Sequence, residues 1–308
     1  MRRALAVDIG GTKLAAGMVD DAGRLTERAE VPTPRTEDPE VVFGALLGLV
    51  DRLTPAGAVV CGVGTGGPMS RDGEEVSPVH IPAWRAFPLR QRLSETFGLP
   101  CVVDNDAKAL ALGEHWQGAG RGSSNMLGMV VSTGVGGGII LGGRLLHGRS
   151  GNAGHVGHII VWPDGPVCGC GAHGCVEGVA SGTGLVRRLR AALADGAESR
   201  LDPAASAAEI AAAARQGDAL AAELFRTAGE GVGRGIASAA ALLDLELVAL
   251  GGSIALHAWD LLGPPLLAEI ERSARLEFTR TLRVVHAQLG DAAGLYGAAR
   301  LAFDAAQS

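Results

Sequence analysis

Apolar positions along this chain fall into short runs that end in glycine, separated by longer stretches with helical spacing. The first run, ALAVDIGGTKLAAGMVD (residues 4–20), reads as strand, tight turn, strand. AVVCGVGTGGP (58–68), MLGMVVSTGVGGGIILGGRLL (126–146) and LELVALGGSIA (245–255) follow a related plan. In each, a short apolar strand enters glycines that permit positive φ or close backbone approach. Helices are predicted over Glu40–Leu53, Ala107–His115, Gly184–Ala194, Ala207–Arg226 and Trp259–Arg275, with a last one over Gly294–Ala305. Strands alternating with helices put the chain in the α/β class. The first and third runs match in plan, VDIGGTKLAAGMV and VVSTGVGGGIILG, which points to a duplicated unit and two lobes with a cleft between them. The expected joint is GAGRGSS (118–124). Lobe one then covers 1–117, with a returning C-terminal helix in 294–308, and lobe two covers 118–293.

Composition narrows the class. The chain has 308 residues, enough for one large domain or two medium ones, and 47% of them are apolar against 19% charged, so it is globular. A net charge of −6 gives no electrostatic footprint for nucleic acid. No apolar run approaches the roughly 20 residues of a membrane span, and MRRALAVDIGGTK reads as a strand entering a turn rather than a signal peptide. Of the five cysteines, Cys61 and Cys101 stand alone in apolar stretches and read as buried small hydrophobes. Cysteine usage therefore fits a reducing compartment, with the cytoplasm as the expected location. Neither a nucleic-acid nor a membrane partner is expected.

The remaining three cysteines lie in GNAGHVGHIIVWPDGPVCGCGAHGCVEGVASG, residues 151–182. Cys168, Cys170 and Cys175 with one imidazole make the ligand set of a closed, tetrahedral structural zinc site. His155, His158 and His173 are the candidates for the fourth ligand, and Glu177 follows the last cysteine directly. A disulfide is disfavoured by three clustered cysteines and by the strain of a CxC ring.

Turns of the DIGGT kind present backbone N–H groups to anionic oxygens, and Asp8 at the head of the turn can hold Mg²⁺. Thr12 and Thr133 each offer a hydroxyl. There is no GxxxxGK[ST] run and no GxGxxG followed by an acid, so a P-loop and a dinucleotide fold are set aside. CVVDNDAKALALGEH (101–115) runs from a strand through three polar residues into a helix. Asp104 and Asp106 are each placed either to cap that helix or to serve as a carboxylate poised at a strand end.

In order along the chain, DIGGTK, STGVGGG and ALGGS resemble the phosphate-1, phosphate-2 and adenosine motifs of the actin-like (ribonuclease H-like, ASKHA) sugar kinases. GH-x9-CxCGxxGCxE resembles the signature of the ROK family (repressors, open reading frames, kinases). The resemblance implies a two-lobed actin-like sugar kinase fold with a structural zinc loop. It implies ATP and Mg²⁺ dependence, with phosphoryl transfer to the 6-hydroxyl of a hexose or N-acetylhexosamine, and a homodimer. Asp8, Gly10, Gly11 and Thr12 would face the β/γ-phosphates and Mg²⁺. Thr133, Gly134, Gly136 and Gly137 would face the other side of the nucleotide, and Gly251, Gly252 and Ser253 the adenosine. Asp106 would be the catalytic base. Asn105, His155, His158 and Glu177 would bind the sugar. His158, Cys168, Cys170 and Cys175 would hold Zn²⁺. Lys13 reads as an exposed hairpin lysine.

Four positions depart from the family pattern. Lys108 stands where the NDAN element has its second Asn, a change expected at the pocket rim. GTGGP (64–68) replaces GxPGP, and SPVHIPAW (77–84) carries His80 in place of an Asn. HVGH (155–158) replaces ExGH, trading a double acceptor for an imidazole that also donates. HxGH with GPVCGCG resembles the bacterial N-acetylmannosamine kinases, so that sugar is the first expectation, beside glucose and a broad-specificity hexose pocket. Three rivals carry less weight. A sugar-responsive repressor would place a DNA-binding segment before the first glycine motif. A non-catalytic regulator would not need Asp8, Asp106 and both phosphate turns. A polyphosphate-dependent kinase would not need the GGS element.

Overall fold

The computed structural model describes residues 1–55 and 57–306. The chain begins with the strands β1 (Arg3–Ile9), β2 (Lys13–Asp20) and β3 (Leu25–Pro32), followed by the helix α1 (Pro39–Val50). Next come β4 (Ala58–Thr65), α2 (Leu89–Phe97), β5 (Cys101–Asn105) and α3 (Asp106–Gln117). The strands β6 (Met126–Val131), β7 (Val135–Leu141) and β8 (Arg144–Leu145) precede α4 (Val176–Ala180), α5 (Gly182–Ala194), α6 (Ala207–Arg215) and α7 (Ala219–Leu243). The chain closes with β9 (Leu247–Gly251), α8 (Ser253–His257), α9 (Trp259–Ser273), β10 (Arg283–His286) and α10 (Ala293–Ala305).

Residues 1–122, 138–154 and 287–308 make one compact unit, and 123–137 with 155–286 make another. The sequence reading put 138–154 in the second lobe. These residues count with the first unit, where the buried Lys108 ammonium holds the Gly151 carbonyl at 2.9 Å.

The first unit is built on the sheet β3-β2-β1-β4-β5. β1, β2 and β3 pair antiparallel, while β4 and β5 run parallel to β1. Alternation along β1 sorts its side chains between two cores. Leu5, Val7 and Ile9 pack with Val42, Leu46 and Leu49 of α1 and Leu89 and Leu93 of α2. Ala4 and Ala6 pack with Leu295, Ala298 and Ala302 of α10. That second face is lined with small residues because α10 lies close to the sheet and to α3. A Cβ on Gly113 of α3 would overlap the Ala293 carbonyl, and one on Gly297 of α10 would overlap the Ala109 carbonyl.

The second sheet has the order β10-β9-β6-β7-β8, with β6, β9 and β10 parallel. The order repeats that of the first sheet: three consecutive strands side by side, then two parallel crossover strands beside the first of them. β3 and α2 were not foreseen. β3 is a polar edge strand with no fully buried side chain, and α2 buries only Leu89 and Leu93.

One expected helix, Ala207–Arg226, is two. α6 stops at Arg215, Gly217 turns with φ 84°, and the Asp218 side chain caps α7 by accepting from Ala221 N at 2.9 Å. α7 then runs 25 residues, well past Arg226, through Gly229, Gly231, Gly233 and Gly235. These glycines are packing positions. A Cβ on Gly229 would lie 2.5 Å from the Leu262 carbonyl oxygen of α9, and one on Gly233 would lie 2.7 Å from that of Leu266.

Helical glycines should therefore answer to alanine with opposite signs. Gly44→Ala in α1 meets nothing within 4 Å and should stabilise the protein by about 0.4–1 kcal/mol. Gly229→Ala should destabilise it by about 1–3 kcal/mol despite alanine's higher helix propensity. Urea denaturation of both variants, read as a change in midpoint at constant slope, checks the pair.

Candidate active site and metal group

In the first unit, β1, β4 and β5 end at one edge of the sheet, where parallel strands present ligand sites. Register puts Asp8 opposite Gly64, Gly64 opposite Asp104 and Thr65 opposite Asn105. The Gly10–Thr12 turn closes with Gly10 N donating to Lys13 O at 3.0 Å, and His80 packs on Gly11. Asn105 caps α3, its Oδ1 accepting from Ala107 N at 3.0 Å, and Asp106 opens the helix, Oδ1 accepting from the same N–H at 2.8 Å. Glycines floor the space between the carboxylates: a Cβ on Gly64 would stand 3.6 Å from Asp106 Cα and 3.8 Å from Asp8 Oδ1. Gly294, in the first turn of α10, does the same beneath Asp8, where a Cβ would come within 2.5 Å of Oδ2.

Burial, then the nearby Asp106 charge, pushes the Asp8 carboxyl from its ordinary 3.8 up to about 7. Burial raises Asp106 as well, opposed by the Ala107 N–H and by His80. Among the described residues no Lys, Arg or His is ion-paired with either acid. Lys13 instead pairs with Asp291 at 3.0 Å and Glu30 at 3.5 Å, in keeping with a hairpin lysine. Asp8 with its oxygen donors and uncompensated charge fits a hard divalent cation such as Mg²⁺. Lys108, expected at a pocket rim, is instead 1% exposed and bound to Asp104. A cation at that position follows from Asp104, a carboxylate one helical turn back that the buried site must neutralise.

In the second unit the hydroxyl–glycine turns are tied to one another. Ser132 and Ser253 share a hydrogen bond of 2.9 Å, which joins the Thr133–Gly137 turn to Gly251–Ser253. Gly252 has φ 94°, and a Cβ there would stand 2.5 Å from the Val131 carbonyl oxygen. The sequence reading missed a third segment of this junction, Ser181–Thr183, at the start of α5. Gly182 N donates to Ser132 O at 2.8 Å, and Thr183 Oγ1 donates to Thr133 O at 2.9 Å. Its signal was available: SGTG (181–184) is another hydroxyl–glycine run. Gly294 carried no such signal.

His158, Cys168, Cys170 and Cys175 place one ligand atom each within 4.8 Å of one another. Cys170 Sγ and Cys175 Sγ are 3.8 Å apart, and Cys168 Sγ lies 3.7 Å from His158 Nδ1. Tetrahedral bonds of about 2.3 Å to sulfur require S···S separations near 3.8 Å, so the group fits zinc. All five cysteines are free. His173 is turned to the Gly165 carbonyl, at 3.2 Å from Nδ1, and His155 stacks on His158 with ring centroids 6.1 Å apart. Glu177, expected at the sugar, bridges two parts of this unit. Its Oε2 accepts from Val135 N at 3.1 Å and its Oε1 lies 3.7 Å from Cys168 Sγ.

Fold and site define the class, a two-sheet α/β sugar kinase with a group able to hold zinc. The chain belongs to the ROK family, whose model matches residues 4–305. It is 38% identical over 313 residues to a glucokinase of Streptomyces coelicolor, covering 97% of this chain and 96% of that one. It is 40% identical over 254 residues to an N-acetylmannosamine kinase of Escherichia coli, covering 82% and 83%. Among solved structures it resembles the ROK family glucokinase of Streptomyces griseus in complex with glucose and AMPPNP, at 36% identity and TM-score 0.78 over 98% and 99% of the two chains. Among the described residues no helix is long and apolar enough to cross a membrane.

Two outcomes follow. Cys175→Ser should abolish tight binding of about one zinc per chain, measured with a colorimetric chelator on unfolded protein. For Asp8 the folded carboxyl holds its proton above the ordinary 3.8, to about 7. Its stability penalty is absent below pH 3.8, grows as pH rises between those values and is full above 7. Asp8→Asn should therefore stabilise the metal-free protein at pH 8, by up to about 4 kcal/mol, and leave it unchanged near pH 4. Urea midpoints at the two pH values read the difference.

Proposed function

We propose that this protein transfers the γ-phosphoryl group of ATP to the 6-hydroxyl of a hexose or N-acetylhexosamine, with N-acetylmannosamine as the preferred sugar. The observation that carries the reaction is the placement of Asp8 near the end of β1 and of Asp106 at the start of α3, directly after β5, facing one another across Gly64 of β4. Asp106 is the general base. Burial raises its pKa, which makes it a better proton acceptor, and it takes the proton of the attacking hydroxyl as the new P–O bond forms and the bond to ADP breaks. Asn105 orients the sugar beside it. Asp8 would hold Mg²⁺, which neutralises phosphate charge, and the Gly10–Thr12 turn offers N–H and hydroxyl donors to phosphate oxygens.

In the second unit, Thr133, Gly134, Gly136 and Gly137 serve the phosphates, and Gly251, Gly252 and Ser253 serve the adenosine. The Ser132–Ser253 hydrogen bond supports reading these turns as one nucleotide site. Zinc on His158 Nδ1 and the three cysteines fixes the loop and leaves Nε2 free for a sugar hydroxyl. His155, with Glu177, completes the sugar-binding set. An imidazole at position 155 offers a donor where a carboxylate offers only acceptors, which suits an acetamido carbonyl. Glucose is the second reading, favoured by a glucokinase relative that spans nearly the whole chain. A homodimer and a cytoplasmic location, which supplies ATP and keeps thiols reduced, complete the proposal.

ADP release with MgATP against glucose, mannose, fructose, N-acetylglucosamine and N-acetylmannosamine tests the reading. N-acetylmannosamine should turn over best, Asp106→Asn should lower kcat by about 10²–10⁴, and His155→Glu should shift preference toward glucose. A wild-type enzyme that prefers glucose would sink the amino-sugar assignment. Absence of turnover on every sugar would sink the kinase assignment.

A further inference from the structure

Asp104 and Lys108 form a closed, buried polar network in the first unit, and phosphoryl transfer as described does not use it. Lys108, on the first turn of α3, is 1% exposed and Asp104 is 7% exposed. The three protons of the ammonium are all placed: Nζ donates to Asp104 Oδ1 at 2.7 Å, to Asp104 Oδ2 at 2.8 Å and to the Gly151 carbonyl at 2.9 Å. Asp104 Oδ1 also accepts from Asn105 N at 2.7 Å, and Oδ2 lies 3.2 Å from His147 Nδ1. The network therefore ties two things together. One is the backbone of Asn105, immediately before Asp106. The other is the segment from His147 to Gly151.

That segment has little else to fix it. His147 through Ser150 and Asn152 are exposed, and Gly148 and Gly151 take positive φ. Its own bonds are few: Ala153 N donates to His147 O at 3.0 Å, Gly151 N to Gly148 O at 3.5 Å, and the Asn152 amide to Ser150. Such a glycine-rich, exposed strip holds one conformation only where something over-determines it. A buried ammonium does so strongly, because releasing the carbonyl would leave one of its protons unpaired out of water.

We propose that Lys108 and Asp104 are positioning residues for the sugar, holding the polar strip Arg149–Asn152 against the first turn of α3, beside Asn105 and Asp106. The assignment rests on the sugar-kinase reading and extends it to the strip, whose serine, asparagine and arginine are donors and acceptors of the type sugar hydroxyls require. Because Lys108 stands where the family pattern has an asparagine, this way of fixing the strip belongs to the present chain and contributes to its choice of sugar.

A single variant would confound positioning with stability, since Lys108→Met leaves the Asp104 charge buried alone. The Asp104→Asn/Lys108→Met double variant removes that charge yet cannot restore the Gly151 tether. Wild-type turnover on the sugar panel tests the kinase reading by itself. KM for the preferred sugar and for MgATP, thermal midpoint, and amide exchange of residues 147–153 then test the pair. The expected result is a sugar KM raised roughly tenfold in both variants, the worth of one charge-assisted hydrogen bond, with KM for MgATP unchanged. The double variant should recover the thermal midpoint that the single one loses, while amides 147–153 exchange faster in both. A sugar KM that stays at the wild-type value, or returns to it with stability in the double variant, overturns the proposal. Unaltered exchange of 147–153 overturns it independently of activity.

Discussion

Two partly buried carboxylates on either side of one glycine are costly, and the first unit is organised around that cost. Burial disfavours the charge of both, and the Asp106 charge adds to the burden on Asp8. The fold meets this with helix ends. α3 begins at Asp106, and the first turn of α10 lies under Asp8, so each acid stands at the positive end of a helix macrodipole. Bringing both helix starts to one sheet edge requires α3 and α10 to pack with their backbones nearly touching, which is what Gly113 and Gly297 permit. The alanine-lined face of β1 is the same requirement seen from the sheet. Side-chain size, helix packing and the energetics of the carboxylates are thus one problem with one solution.

Between β8 and α4 the chain runs some thirty residues in which the longest regular element is a short 3-10 turn at Val156–His158. Backbone hydrogen bonds such as Val161 N to Gly174 O and Cys168 N to Ala172 O hold its later part, and a loop this long with so little regular structure is usually functional. Three thiols and an imidazole at tetrahedral separations add a second means of definition. Glu177 carries that order onward, since one carboxylate reaches both Cys168 and the Val135 amide at the start of β7. Behind the loop, α7 presents Gly231 and Gly235 to Val179 and Val176 of α4, so the loop's exit helix sits close against the core.

Features with a local cause could be read from the residues. DIGGTK, STGVGGG and ALGGS are turns whose glycines matter within a few positions, and the cysteine spacing carries its own ligand chemistry. What escaped was set by distant partners. Gly229 and Gly233 look like helix breakers until α9 is placed against them. Gly294 is an ordinary helical glycine until Asp8, almost the whole chain away, stands over it. β3 and α2 bury little, and their periodic patterns are carried by few apolar residues: Leu25, Ala29 and Val31 in the one, Leu89, Leu93 and Phe97 in the other. Lys108 was misplaced for a related reason: a lysine is expected at a surface, and only a buried acid one turn back explains its burial.

Asp104 supplies the control for the functional argument. Like Asp8 it is an aspartate near the end of a parallel strand, two residues before Asp106, and burial alone would raise it. His147, Lys108 and the Asn105 amide together outweigh that burial and hold it below the ordinary carboxylate range. A carboxylate so completely satisfied has no affinity left to spend on a metal or a proton. Asp8 and Asp106 face comparable burial without any bonded cation, and their elevated pKa values are the signature of that deficit. A folded chain tolerates such a deficit where a ligand removes it, which is what the proposed function assigns to both: a divalent cation for Asp8, a sugar hydroxyl's proton for Asp106. What separates Asp104 from the other two aspartates is its partners.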